Sequence, residues 1–289
     1  MLGLADTLRA RSGARHVVSR GELVVWVVAV LFASRLFRIE TEPLTGLLDG
    51  LVTLLAQNSV FHYIGWYAVF SLLRESALAD RAHPWEVACA LGMCVVNVLQ
   101  AKSTVWVSAT AVGYYLWVMH PGNARVRAAA TVLFALAVNG LWAPLFFRTF
   151  SYPILLADAV MVGGALSLLQ DGTSWLGTNI IGTRSGHRVL IYGPCSSFHN
   201  ISLGLLCWVS LTMLARPRWV KDDLPVASMV VMTVTLLNTG RLCLIALGPD
   251  AASYNYWHGG PGEELLAWAM TGCVLAISLW GALRASTAP

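Results

Sequence analysis

The 289 residues are 57% hydrophobic and 12% charged, with a mean hydropathy of +0.65. That is too little charge to cover a water-soluble globule of 31.2 kDa. The net charge of +4 comes from basic residues scattered through the loops with no patch of interleaved aromatics, which argues against nucleic acid as a partner.

The N-terminal stretch to Glu22 carries Arg9, Arg11, Arg15 and Arg20, and the apolar run after it lacks a small-residue cleavage site. A retained first helix with a cytoplasmic N-terminus is predicted. Apolar blocks follow at the length that crosses a hydrocarbon core about 30 Å thick, roughly 20 residues each. They predict spans near 22–38, 58–73, 85–100, 103–119, 128–147, 196–215, 226–247 and 264–283. Two further stretches are weaker: Leu44 to Gln57 contains Asp49, and Tyr152 to Gln170 contains Asp158 and the Gly163-Gly164 pair. Leaving both out puts Arg74, Arg81, Arg125, Arg127, Arg216, Arg218, Lys221 and Arg284 on the N-terminal side of the membrane. Letting both cross weakens that asymmetry, so the positive-inside rule favours eight spans over ten.

Residues 171–194 break the apolar pattern with Gly172, Gly177, Gly182, Gly186 and Gly193. Short β-branched runs at Asn179 to Ile181 and Val189 to Tyr192 predict a hairpin or loop at the outer surface. The expected fold is therefore an all-α polytopic membrane protein of about eight transmembrane helices, with that short outer β-hairpin or loop near 172–194. With no repeat or linker in view, residues 1–289 read as a single membrane domain: N-terminal helices over 1–147, then helices and outer loops over 148–289.

Ionisable residues at membrane depth are costly and point to function. Cys195 opens a helix in YGPCSSFHN, followed by Ser196. The positive end of a helix favours thiolate, so a lowered pKa is expected there. Arg241, in LLNTGRLCL, lies about six residues, roughly 9 Å, before the outer end of its helix. Asn238 shares its face at a spacing of three. An arginine held this deep needs polar partners or an anion, which suits a developing oxyanion or a substrate carboxylate. His258, in YNYWHGGPGEE, precedes the final helix and can accept and return a proton. His199, one turn after Cys195, is the rival base.

Cys89, Cys94, Cys207, Cys243 and Cys273 read as packing residues, and Cys195 alone borders an outer loop, which leaves a structural disulfide unsupported. The absence of CxxC, HExxH and nucleotide-binding glycine motifs leaves metals and cofactors without a foothold.

The order YGPCSS, then NTGR, then His258 resembles the exosortase/archaeosortase family, and so does the glycine-rich lead-in from Gly163 to Cys195. The likeness covers roughly residues 160–285. One departure is Cys-Ser-Ser followed by Phe198-His199-Asn200, where the family commonly has Cys-Ser-Gly. The resemblance implies a cysteine protease or transpeptidase of the bacterial inner membrane with its site facing outward. Its partners would be membrane lipid and exported proteins bearing a C-terminal sorting signal, a short motif followed by a hydrophobic helix and a basic tail. It also implies Cys195 as nucleophile, Arg241 as transition-state stabiliser and His258 as the completing residue. The product would pass to water, an amine or a lipid-linked acceptor. A transporter or channel, with Asp49, Asp158 and Arg241 along a path, and a non-catalytic component of exopolysaccharide export are the alternatives.

Overall fold

A computed structural model describes residues 18–36, 59–76, 80–99, 103–171, 173–176, 180–182, 188–248 and 250–286. The N-terminal arginines Arg9, Arg11 and Arg15, the weak segment Leu44 to Gln57 and the turn at 183–187 lie outside the described residues.

Helix starts follow from side chains that satisfy otherwise unpaired N–H groups. Helix α1 (Arg20–Leu36) opens with Ser19 and Glu22 capping each other's backbone N–H. Ser59 caps α2 (Val60–Arg74). His83 and Glu86 form a capping box at α3 (Pro84–Val98), where Pro84 occupies the first helical position. After α4 (Thr104–Met119), Pro121 and Gly122 stop the chain, and Asn123 caps α5 (Ala124–Ala137).

From α5 the chain stays helical through a π-turn (Val138–Trp142) into α6 (Ala143–Leu169). This joins two segments that the sequence suggests are separate, 128–147 and 152–170, into one helical stretch of 46 residues. The stretch bends at Phe150, whose φ of −115° and ψ of 30° are not helical. Pro153 is the cause, because its ring crowds the preceding turn. Gly140 sits in the π-turn where a Cβ would lie 2.1 Å from the Trp106 ring, so only glycine lets the turn pack there.

Three short strands follow: β1 (Ser174–Leu176), β2 (Ile180–Gly182) and β3 (Arg188–Leu190). They form an antiparallel sheet in the order β1-β2-β3, with Ile181 opposite both Trp175 and Val189. This is one strand more than the two expected. The chain then enters α7 (Ser197–Ala215), α8 (Asp223–Leu247), the short α9 (Ala251–Trp257) and α10 (Pro261–Ser286).

Helix α7 is the hub, packing against α2, α5, α8 and α10. One core holds Val28, Leu31, Val69, Leu116, Leu133 and Leu136, where Ala128, Ala129 and Ala130 let the helices approach closely. A second gathers Val162, Leu166, Ile191, Cys195, Leu242 and Ile245 around the end of α8. The outside is as apolar as the inside: Leu99, Trp268 and Leu168 are 76%, 74% and 88% exposed. Hydrocarbon, not water, is the solvent that fits such a surface.

The α5–α6 stretch, α7, α8 and the α9–α10 segment are the four described stretches long and apolar enough to cross a membrane. The first four described helices have 15 to 17 residues, about 22–26 Å at the helical rise, short of a core about 30 Å thick.

Beyond its bend, α6 runs parallel to α8. Asp158 bonds Ser196 and Ser197 beside Asn238, and the Val162 carbonyl accepts from Cys243 Sγ at 3.9 Å. From 158 to 162 the helix thus advances with α8 toward its C-terminal end. Bend and direction together keep this segment beside the Cys195 turn.

Candidate active site

Cys195 closes a 3₁₀ turn (Gly193–Cys195) in which its N–H donates to the Tyr192 carbonyl at 2.8 Å. Ser196 is extended and caps α7 by accepting from the Phe198 N–H, while its own hydroxyl donates to Asp158 at 2.7 Å. The Ser197 N–H donates to the same Asp158 oxygen at 3.2 Å. From the other side, the Asn238 amide donates to the Cys195 carbonyl at 2.9 Å and to the Ser197 hydroxyl at 3.0 Å. Asp158 and Asn238 are 3% and 1% exposed. These bonds hold the backbone on both sides of Cys195, with Asn238 Oδ1 left buried and without a partner.

The thiol itself is buried, with Sγ 3.9 Å from His258 Nε2. His258 terminates α9, its N–H donating to the Tyr254 carbonyl at 2.8 Å and its ring stacked on Tyr254 at 5.0 Å and 13°. Gly259 then takes φ +100°, and a Cβ on Gly260 would lie 2.6 Å from the Asn255 carbonyl, so the reversal into α10 requires this glycine pair.

Arg241 reaches the same region from α8. Its Nε donates to the Trp257 carbonyl at 3.4 Å, and Nη2 meets Glu263 Oε1 at 2.7 Å. A cavity of about 220 Å³ extends from the Arg241–Glu263 pair between α7, α8 and α10, walled by Leu203, Leu237, Leu266 and Met270.

The expected lowering of the Cys195 pKa is not found. Burial pushes the thiol up, and Glu263 and Asp158 add to this, against the N–H environment at Tyr192 and the Arg241 charge, which favour thiolate. The physical reason is local. Cys195 precedes the cap, and the N–H groups at the start of α7 are taken by Ser196 and Asp158, so the positive helix end serves a carboxylate and not the sulfur.

Cys195, His258, Asn238 and Ser196 therefore converge, and Arg241 stands beside them with its charge acting on the thiol. His199 does not join them. Its carbonyl accepts from Ser202, and it lines a separate cavity of about 280 Å³ with Pro144, Phe147 and Phe198. Asp158, Tyr254 and Glu263 belong to the site without having been assigned to it from sequence. The acidic residue in an otherwise apolar stretch and the Glu263-Glu264 pair opening α10 were the available signals.

Chemically, the pair is a thiol facing an imidazole nitrogen that accepts its proton when the other ring nitrogen carries the hydrogen. A guanidinium lies close by, its charge partly engaged by a carboxylate. No group of His, Cys, Asp and Glu suited to a metal occurs among the described residues. No protein family, curated protein or solved structure matches this chain.

Proposed function

We propose that the protein is a membrane-embedded cysteine peptidase or transpeptidase that cleaves the C-terminal sorting signal of exported proteins at the outer face of the inner membrane. The observation that carries this reading is the 3.9 Å approach of Cys195 Sγ to His258 Nε2, made between residues 63 apart in sequence. The neighbouring Arg241 supplies the cation that acyl transfer needs.

In this reading, the thiol proton passes to His258 Nε2 as Sγ attacks the scissile carbonyl. The carbonyl oxygen gains the negative charge, and Arg241 meets it after exchanging part of its bond with Glu263. Collapse breaks the C–N bond, and His258 returns the proton to the leaving amine. A thioester on Cys195 remains, resolved by water or by an amine or lipid-linked acceptor.

The topology that goes with this function has eight crossings: the short α1 to α4, which cross where the bilayer thins around them, the first part of the α5–α6 stretch, α7, α8 and α10. The N-terminus is cytoplasmic, and the sheet and Cys195 face outward. The bend at Phe150 and the parallel course of α6 and α8 support keeping residues 152–169 on the outer side. The ion-path alternative is weakened because Asp158 and Arg241 both have partners within the Cys195 region.

Cys195→Ala tests the function. Cells carrying it should accumulate exported proteins that retain a C-terminal hydrophobic segment, and unchanged processing would remove the enzyme reading.

A further inference from the structure

At the end of the bundle opposite Cys195, the turns after α4 and α7 enclose a cavity of about 350 Å³. Its polar wall is made by Arg127 and Arg218, and no carboxylate lines it. Arg127 lies over the Trp117 ring at 4.4 Å, and Trp219, 45% exposed, packs against Trp208 with centroids 5.3 Å apart and the rings tilted by 40°. The floor is apolar, closed by the buried Ala128 and Met213.

Two of the carboxylates at this end are engaged elsewhere, while Asp222, outside the cavity lining, caps no helix N–H with its side chain. Glu75 pairs with Arg125 at 3.3 Å, and Asp223 is bonded to Arg216. Arg216, 7% exposed, still has Nε and Nη1 without a hydrogen-bond partner. Two guanidiniums thus face a cavity without a carboxylate, between aromatic side chains at the ends of membrane helices. A tryptophan belt marks headgroup depth, and basic pockets between helices at that depth suit lipid phosphates.

We infer that this cavity is a binding site for an anionic phospholipid, with the headgroup phosphate between Arg127 and Arg218. Bidentate guanidinium contacts match a phosphate diester, and the planar Trp117 face holds Arg127 in place for it. The inference is independent of the chemistry at Cys195.

The test uses the full chain in nanodiscs of phosphatidylcholine, with and without phosphatidylglycerol, reading retained lipid by native mass spectrometry and thermal unfolding in parallel. Phosphatidylglycerol is expected to be retained and to raise the unfolding temperature. Arg127→Gln with Arg218→Gln should weaken it about thirtyfold, since each basic residue at a membrane surface contributes about fivefold. Unfolding of this variant in phosphatidylcholine alone checks that it folds. Arg127→Lys with Arg218→Lys, which keeps both charges but not the bidentate fork, should retain the lipid less than the wild type and more than the double glutamine variant. Arg81→Gln, at the same end but outside the cavity, should leave retention unchanged. Equal retention by the double glutamine variant, an equal loss with Arg81→Gln, or competition by millimolar inorganic phosphate would each overturn the inference.

Discussion

The Arg241 guanidinium is bound to Glu263 at 2.7 Å in the resting site, so the cation nearest the thiol is partly neutralised before substrate arrives. Glu263 also disfavours thiolate directly. Glu263→Gln should therefore shift the pH midpoint of Cys195 alkylation downward, because it removes a repulsion and frees Arg241 together. Arg241→Gln should move the midpoint upward. Midpoints that do not respond would show that the pair is electrically remote from the sulfur.

The pH dependence of Cys195 labelling follows from its raised pKa. A thiol with a raised pKa is protonated at neutral pH and becomes reactive only as pH rises above the ordinary thiol range, about 8.5. An impermeant maleimide added from the outer side should react more slowly at neutral pH than with a free cysteine peptide, and should accelerate without a plateau below about pH 9. A plateau near neutrality would mean that the thiolate is already formed. Labelling only from the cytoplasmic side would reverse the topology.

His258 and His199 are separated by their surroundings, one beside the sulfur and the other in a different cavity. His258→Ala should lower processing of an exported substrate about 10²- to 10⁴-fold, the range for removing a general acid–base. His199→Ala should leave most of it. Turnover measured in membranes with each variant decides the assignment, and the reverse ranking would transfer the base role to His199.

Asn238 and Asp158 hold the Cys195 turn from two helices. Asn238→Ala leaves the Cys195 carbonyl and the Ser197 hydroxyl without this buried donor, a loss of about 1–3 kcal/mol. A lower unfolding temperature and reduced processing should appear together. Unchanged stability would show that the turn is held by Asp158 alone.

Much of this arrangement was legible in the sequence because hydrocarbon imposes a simple rule on chain segments: long, apolar and helical. The same cost made Arg241 conspicuous, and YGPC marked a turn before a helix. What escaped depended on tertiary distance. Nothing local says that Asp158 meets Ser196, 38 residues away, or that Glu263 occupies Arg241. Asp158 and the Gly163-Gly164 pair marked residues 152–170 as a weaker, separate segment, yet the helix runs on through Pro153 with a bend at Phe150. The thiol was misjudged by a single residue: Ser196, not Cys195, is the cap, and Asp158 takes the helix end that the sulfur was expected to use.

A thioester on Cys195 is the intermediate that sets this mechanism apart, and hydroxylamine reports it directly by cleaving the thioester and leaving a hydroxamate on the released protein. Membranes from cells expressing the wild-type chain and Cys195→Ala are treated with hydroxylamine, and the new C-termini of exported proteins are sequenced by mass spectrometry. Exported proteins should lose their C-terminal hydrophobic segment and carry a C-terminal hydroxamate with the wild type alone. Hydroxamate in neither sample, or equally in both, would contradict a Cys195 acyl-enzyme.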